Sequence, residues 1–321
     1  MLKTRTFRPV GRRRPAVGTV LLALLLALGV TSAARAVEVP TLFTAEVPCD
    51  READNPREDA YERALSEVLL RVSGSELGNN PVAIAELFPN PSSFVIQFRP
   101  GANDTLWVSF DGEAIEQILR NSGQLVWGAD RPLTLVWLAV DWGQGSREII
   151  AADDPDRSES EGRSIDRNRR LRERMLQIAE QRGLPIVFPL LDTTDLQSVT
   201  FSDIWGGFDE GIIDASKRYD ANSILIGRIR PSASRRENWT YYFSGTQRSW
   251  NGPPERVVAE VANLLAAEFA VGGNAPVETV TLSVSGIDSV QAYGSVQSLL
   301  ADVSLIESFV IMEVAGDRVI Y

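Results

Sequence analysis

The sequence predicts an α/β protein (α+β overall). A central, mostly parallel sheet domain with covering helices is flanked by a β-α-α-β-β-α amino-terminal unit and a small β-α-β-β carboxyl-terminal unit. Three observations predict it. Continuous apolar runs at 133–140 (LTLVWLAV), 186–191 (IVFPLL) and 224–229 (ILIGRI) suit strands buried on both faces. Segments with apolar residues at helical spacing separate these runs, the alternation expected of a sheet with crossover helices. Composition is 44% hydrophobic and 23% charged, close to that of folded globular proteins. A length of 321 residues suggests two or three domains.

Residues 1–36 have the design of a signal peptide. Lys3, Arg5, Arg8, Arg12, Arg13 and Arg14 form a basic start, residues 16–30 an apolar tract, and Ala34-Arg35-Ala36 a small-x-small cleavage pattern before Val37. The tract is shorter than the ~20 residues that span a bilayer. If the leader is not cleaved, it becomes an inner-membrane anchor and the sole membrane contact. Arg12-Arg13-Arg14 raises a twin-arginine signal, but the rest of that pattern is missing. The bacterial periplasm, or the outside, is the expected location.

The first unit, 37–128, begins with an alternating strand at 42–47. Tyr61, Ala64, Leu65, Val68, Leu69 and Val72 recur at helical spacing, and Ser73-Gly74 ends that helix. A short helix at 82–88 closes at Pro89. Strands at 94–98 and 106–110 flank a turn, and Ala114, Ile115, Ile118 and Leu119 line a third helix.

The second unit, 129–273, opens on the apolar strand 133–140. A polar insertion at 143–163 and an amphipathic helix at 167–181 follow, the helix capped by Gly183. After strand 186–191 comes a polar loop at 192–203, then a helix through Ile204, Phe208, Ile212 and Ala215, which Gly206-Gly207 weakens. Strand 224–229, a hairpin at 239–243 and 247–250, and a helix at 254–270 complete the unit. The third unit, 275–321, alternates at Val280, Leu282 and Val284 and carries a helix lined by Val290, Tyr293, Val296, Leu299 and Leu300. Strands at 305–314 and 318–321 close it. It is too small for a large core of its own, so it is expected to pack on a neighbour or a partner.

Composition excludes several chemistries. With no histidine there is no Ser-His-Asp or Cys-His apparatus and no imidazole base. A single cysteine, Cys49, allows neither an intramolecular disulfide nor a CxxC motif. No GxxxxGK or GxGxxG follows a strand, and Gly143-Gln144-Gly145 reads as a turn, so no cofactor is expected. The leader holds seven of the 32 basic residues and none of the 43 acids, leaving 25 basic against 43 acidic residues beyond it. Such a body repels nucleic acid and anionic lipid, and suits solubility or a basic partner.

Several stretches resemble the DUF2066 family of uncharacterised exported proteobacterial proteins. They are Ala64-Leu65 with Leu70-Arg71-Val72-Ser73-Gly74; Trp127-Gly128, Arg131-Pro132 and Val136-Trp137-Leu138; Arg182-Gly183-Leu184-Pro185 with Pro189-Leu190-Leu191-Asp192; Asp203-Ile204-Trp205-Gly206; Ala215-Ser216 with Arg218-Tyr219; and Ile224-Leu225-Ile226-Gly227-Arg228. The resemblance spans nearly all of the chain after the leader and implies no activity. At the level of fold, the middle unit is similar to the amino-terminal domain of TolB and to the lipoprotein activators of penicillin-binding proteins. The first unit is faintly similar to amino-terminal domains of flagellar assembly proteins.

Three constellations are candidates for a site. Asp192, Asp195 and Asp203 crowd the loop after the second buried strand, where α/β sheets tend to bind ligands. Two such acids suit acid/base work on a glycan, and three suit a hard cation such as calcium. The plainer reading is helix capping, with Asp203 just before Ile204. Arg131, Arg182 and Arg218 sit near strand or helix ends and could clamp an anion if they share a pocket, or bind carbonyls and acids across a seam. Trp127, Trp142 and Trp205 lie in loops and are candidates for a partner surface or a packed seam, whereas Trp137 and Trp239 belong to the core. The leading expectation is a non-catalytic envelope accessory or scaffold acting through protein contacts. The alternative is a carboxylate-dependent glycan hydrolase, or a glycan- or anion-binding protein.

Overall fold

The structure is a computed structural model and describes residues 36–152, 163–231, 236–272, 279–302, 306 and 308–321. The expected leader lies outside these residues apart from Ala36, as do the middle of the polar insertion, the junction near residue 274 and the start of the strand expected at 305–314.

The protein is an α/β protein of the α+β class, as expected. After β1 (Ala36–Glu38), strands β2 (Thr44–Pro48), β3 (Val95–Pro100) and β4 (Thr105–Phe110) form an antiparallel sheet in the order β2-β4-β3. Helix α1 (Pro56–Val72) starts with Pro56 in its first turn and acids Glu58 and Asp59 near its positive end. Its Ala64, Leu65, Val68 and Leu69 pack with the inward residues Leu106, Val108 and Phe110 of β4. The short α2 (Pro81–Leu87) and α3 (Gly112–Asn121) complete this layer through Ile84, Ile115 and Leu119.

The central sheet is built on β7 (Thr134–Gly143), which pairs in parallel with β10 (Ser223–Arg230) along seven residues. Its order is β12-β11-β10-β7, with β11 (Arg236–Phe243) and β12 (Thr246–Asn251) forming the expected hairpin. The far edge of β7 is shared. Strand β9 (Ile186–Val187) pairs with Thr134 and Leu135 in parallel, and β8 (Ser146–Ile149) pairs antiparallel with its later half. The parallel expectation therefore holds for β9, β7 and β10 only, and the sheet as a whole is mixed. Antiparallel strands join it where a short turn returns the chain, as at Gly143-Gln144-Gly145, where all three residues have positive φ. That turn places a strand, β8, inside what the sequence presents as a polar insertion.

Both faces of the inner strands are covered, which explains their unbroken apolar sequence. Val136, Leu138, Val140, Leu225 and Ile229 pack under α4 (Arg163–Gln181) and α8 (Pro254–Phe269). Leu135, Trp137, Ile224 and Ile226 face α5 (Thr193–Ser198), α6 (Phe201–Gly206) and α7 (Asp209–Ser216). The expected strand 186–191 is only two residues long, and the expected loop 192–203 holds α5 and the start of α6. The single helix expected through Ile204 and Ala215 is two, because Gly207 takes a left-handed φ of 77° and ends α6. Gly227 lies against the Trp239 ring, and a β-carbon there would meet that ring and stand 2.7 Å from Leu138 Cδ1. Gly227→Ala is expected to cost about 1–3 kcal/mol by overpacking, read as a lowered midpoint in chemical denaturation with m unchanged.

Short strands join the first layer to the central one. β1 pairs with β6 (Asp130–Pro132), and β5 (Leu125–Val126) pairs with β13 (Val271–Gly272), just past α8. In the last segment, β14 (Ser283–Ser285), β16 (Arg318–Ile320) and β15 (Glu313–Ala315) form a sheet in the order β14-β16-β15 with α9 (Val290–Asp302). Of the expected strand 305–314, only residues 313–314 are in β15. The apolar cluster here is small, centred on Leu300, Val319 and Tyr321, and is drawn entirely from this segment.

Candidate functional site

The acids of the loop after β9 are bonded inward. Asp192 is the N-cap of α5, its Oδ1 accepting the Asp195 amide at 3.0 Å. Asp195 is fully buried. It accepts the Leu191 amide at 2.9 Å and the Tyr219 hydroxyl, while Arg218 reaches its Oδ1 at 2.8 Å. The same guanidinium grips both oxygens of Asp192 at 2.7 Å, a bidentate pair. Leu191, a non-glycine at φ 51°, is held in the left-handed region within this network.

The electrostatics follow from that geometry. Hydrogen bonding to Arg218 holds the Asp192 carboxyl well below the usual carboxylate range, and the same bond raises Arg218. Burial, and then its bond to Asp195, pushes the Tyr219 phenol up to about 12. An ionised Asp192 has no proton to give a leaving group, and Asp195 has no solvent-facing oxygen. The pair therefore works as a clasp between the loop after β9 and the end of α7. Asp203 takes no part in it. It closes a capping box with Thr200 at the start of α6, and the Thr200 hydroxyl and amide lower its pKa.

The three arginines do not share one pocket. Arg218 belongs to the clasp, whereas Arg131 and Arg182 meet at the seam between the first layer and the central one. Arg131 is wholly buried, and no carboxylate bonds its guanidinium among the described residues. Its N–H groups donate to five carbonyls: Gly128 at 2.9 Å, Trp127 at 2.7 Å, Arg71 at 3.0 Å, Arg182 at 3.2 Å and Gly183 at 2.8 Å. Its Cζ lies 3.9 Å from the centre of the Trp127 ring. Burial first, then the charges of Arg71 and Arg182, push its pKa down to about 9. Arg182 donates to Asn263 and, at 3.4 Å, to the Gly74 carbonyl.

Arg71 is a seam residue that sequence reasoning did not single out as a site. From the last turn of α1 it donates to the carbonyls of Thr41 at 2.6 Å and Thr44 at 2.8 Å. An arginine between Leu70 and Val72 in a buried helical stripe was the available signal. Gly183 lets this cluster close, since a β-carbon there would run into the Arg131 guanidinium and stand 2.5 Å from Arg71 Cγ.

The tryptophans divide. Trp127 is 1% exposed, so the partner-surface reading is corrected for it: its ring is the floor under Arg131. Trp205 is half-buried, stacked on Phe201 at 5.2 Å, with Arg230 over it at 5.2 Å. Trp142 is half-buried, donates to Asn168 at 3.0 Å and lies under Arg167 at 4.8 Å. It lines an open groove of about 580 Å³ with Arg167, Arg170, Glu173, Arg174 and Gln177 on the outer side of α4.

The crevice where α/β sheets usually bind ligands is filled. Crossovers leave β7 and β9 toward opposite faces, and between their ends lies β8, continued by the bonds Ile150 N–H to Leu138 at 2.8 Å and Ala152 N–H to Pro189 at 2.8 Å. At the end of β7, Asp141 accepts the Gly143 amide at 3.0 Å and binds Arg230 at 2.7 Å, contacts that lower its pKa. Among the described residues, no cluster of three acids or cysteines could hold a metal ion, and no helix is long and apolar enough to cross a membrane.

Residues 36–128 match the family model of DUF8605, a domain of unknown function. The match ends at Gly128, beside the Trp127 and Gly128 carbonyls that Arg131 binds. It is a different family model from the DUF2066 family that the short motifs resemble. No curated protein matches the sequence. A similar solved structure is that of a competence-damaged protein (CinA) superfamily protein from Escherichia coli, 12% identical over 48% of this chain and 84% of that chain, with a TM-score of 0.19.

Proposed function

We propose that the protein is a non-catalytic accessory or scaffold of the bacterial envelope that acts through protein contacts. One contrast carries this reading. The charged side chains best placed for chemistry (Asp192, Asp195, Asp203, Arg131, Arg182 and Arg218) are bonded to neighbouring groups of the same chain. Apolar surface, by contrast, is concentrated in one small segment: eight of the 17 large apolar side chains exposed among the described residues lie between 280 and 314. Exposed apolar side chains concentrated in one segment suit a partner surface better than a reaction. The signal-peptide design of residues 1–36 and the likeness to an exported family support the periplasmic location.

Crosslinking with mass spectrometry in intact envelopes tests the reading. Lys217 is the sole lysine beyond the leader, so a carboxylate-reactive or photoactivated reagent is needed. Crosslinks to another envelope protein are expected. Recovery of the isolated monomer alone, or turnover of an envelope glycan abolished by Asp195→Asn, overturns the proposal.

A further inference from the structure

The last segment ends in an open sheet edge. In the order β14-β16-β15, strand β15 has β16 on one side and no strand on the other among the described residues. The ladder extends one residue earlier, with the Met312 amide donating to Ile320 at 2.8 Å. Along this edge Val310 is 72% exposed, Met312 70% and Val314 62%. The stretch 309–315 (FVIMEVA) holds β-branched and other apolar residues, one acid, no proline and no lysine. Sheet edges in natural proteins are usually protected by lysine, proline, a bulge or a covering element. Of the usual protections, lysine and proline are absent from 309–315 and the short β15 carries a single charge, Glu313. Among the described residues no strand pairs with its outer side, whose backbone donors and acceptors can template another strand.

Charge decides which strand. Residues 279–321 contain five acids and one cation, Arg318. A second copy docking edge to edge would bring two acidic segments together, with Glu313 of each β15 facing the same ladder. Like charges across strands are destabilising. A basic strand with apolar residues at alternate positions suits both features.

Resting on the reading as a contact protein, we propose that β15 accepts, by strand addition, an extended basic segment of a partner protein whose alternate residues are apolar. Backbone bonds to β15 supply affinity, the exposed valines and Met312 receive the apolar side chains, and Glu313 on the strand, with Asp317 in the turn to β16, selects for lysine and arginine.

The test uses the purified full chain and a fluorescent nine-residue peptide of alternating valine and lysine. Two comparison peptides are a valine–glutamate version and a valine–lysine version methylated on alternate amides. The basic peptide is expected to bind, the methylated one at least tenfold more weakly, and the acidic one not at all. Val314→Lys is expected to weaken binding tenfold or more. Met312→Lys serves as a second variant should the first alter the thermal midpoint. Ser249→Lys, on the edge strand β12, is expected to leave binding unchanged. Equal binding of the methylated peptide overturns strand addition, and equal binding of the acidic one overturns the charge selection. A dimer that Val314→Lys dissociates overturns the basic partner and makes the occupant a second copy. Envelope crosslinks that map away from 308–315 would sink this inference while leaving the contact function standing.

Discussion

Arg131→Met is expected to destabilise the protein by about 3–5 kcal/mol. The methionine side chain matches much of the volume but donates nothing, so five carbonyls lose their donor in a buried seam. Three of these, from Arg71, Trp127 and Gly128, belong to the first layer, and two, from Arg182 and Gly183, follow α4. The guanidinium is the joint between them. Arg131→Lys should recover little, because one ammonium with three protons cannot span a fork of five bonds or lie flat on Trp127. Urea denaturation followed separately by tryptophan fluorescence and by far-UV dichroism is the measurement. The parent should give coincident transitions and the variant two, the first layer loosening before the central sheet. A variant within about 1 kcal/mol of the parent, with coincident transitions, would show that burying this cation contributes no net stability.

Asp195→Ala is expected to cost about 2–4 kcal/mol. The change strands the Leu191 amide and the Tyr219 hydroxyl and leaves Leu191 in a left-handed conformation without its anchor. Asp192 and Arg218 remain paired, so the loss measures the buried half of the clasp. The exposed half is read by acid. Asp192 has a folded pKa below its unfolded value of about 3.9. Its contribution is therefore complete above that pH and is lost as pH falls toward the folded value. The acid limb of stability should begin near pH ~4 in the parent, and Arg218→Gln should flatten the part due to Asp192. An unchanged acid limb in Arg218→Gln would count against the clasp.

The places where sequence reading fell short have physical causes. α1 and α8 were legible because their apolar residues keep a helical period over about four turns. β7 and β10 were legible because burial on both faces leaves few polar positions. The break between α6 and α7 was missed because the apolar spacing runs on through Gly207, and only its left-handed φ ends the helix. β8 was missed because an edge strand needs no apolar period; its register comes from the turn before it. Asp192 and Asp195 were legible as a cluster, yet their partner Arg218 lies 26 and 23 residues away. Whether acids meet solvent, a cation or each other is not encoded in their spacing.

The long helices and the strands buried on both faces, the residue types that composition lacks and the acidic balance belong to the sequence alone, because period and composition are local or summed properties. The roles of the candidate residues were decided by the tertiary structure. From its neighbours in the chain, Arg131 reads as a seam bolt or as an anion clamp. It is a bolt because folding brings the carbonyls of Arg71 and Gly183, 60 and 52 residues distant, within 3.0 Å of its nitrogens. A buried polar group takes the partners that the packing of distant elements supplies, and no short-range pattern specifies that choice.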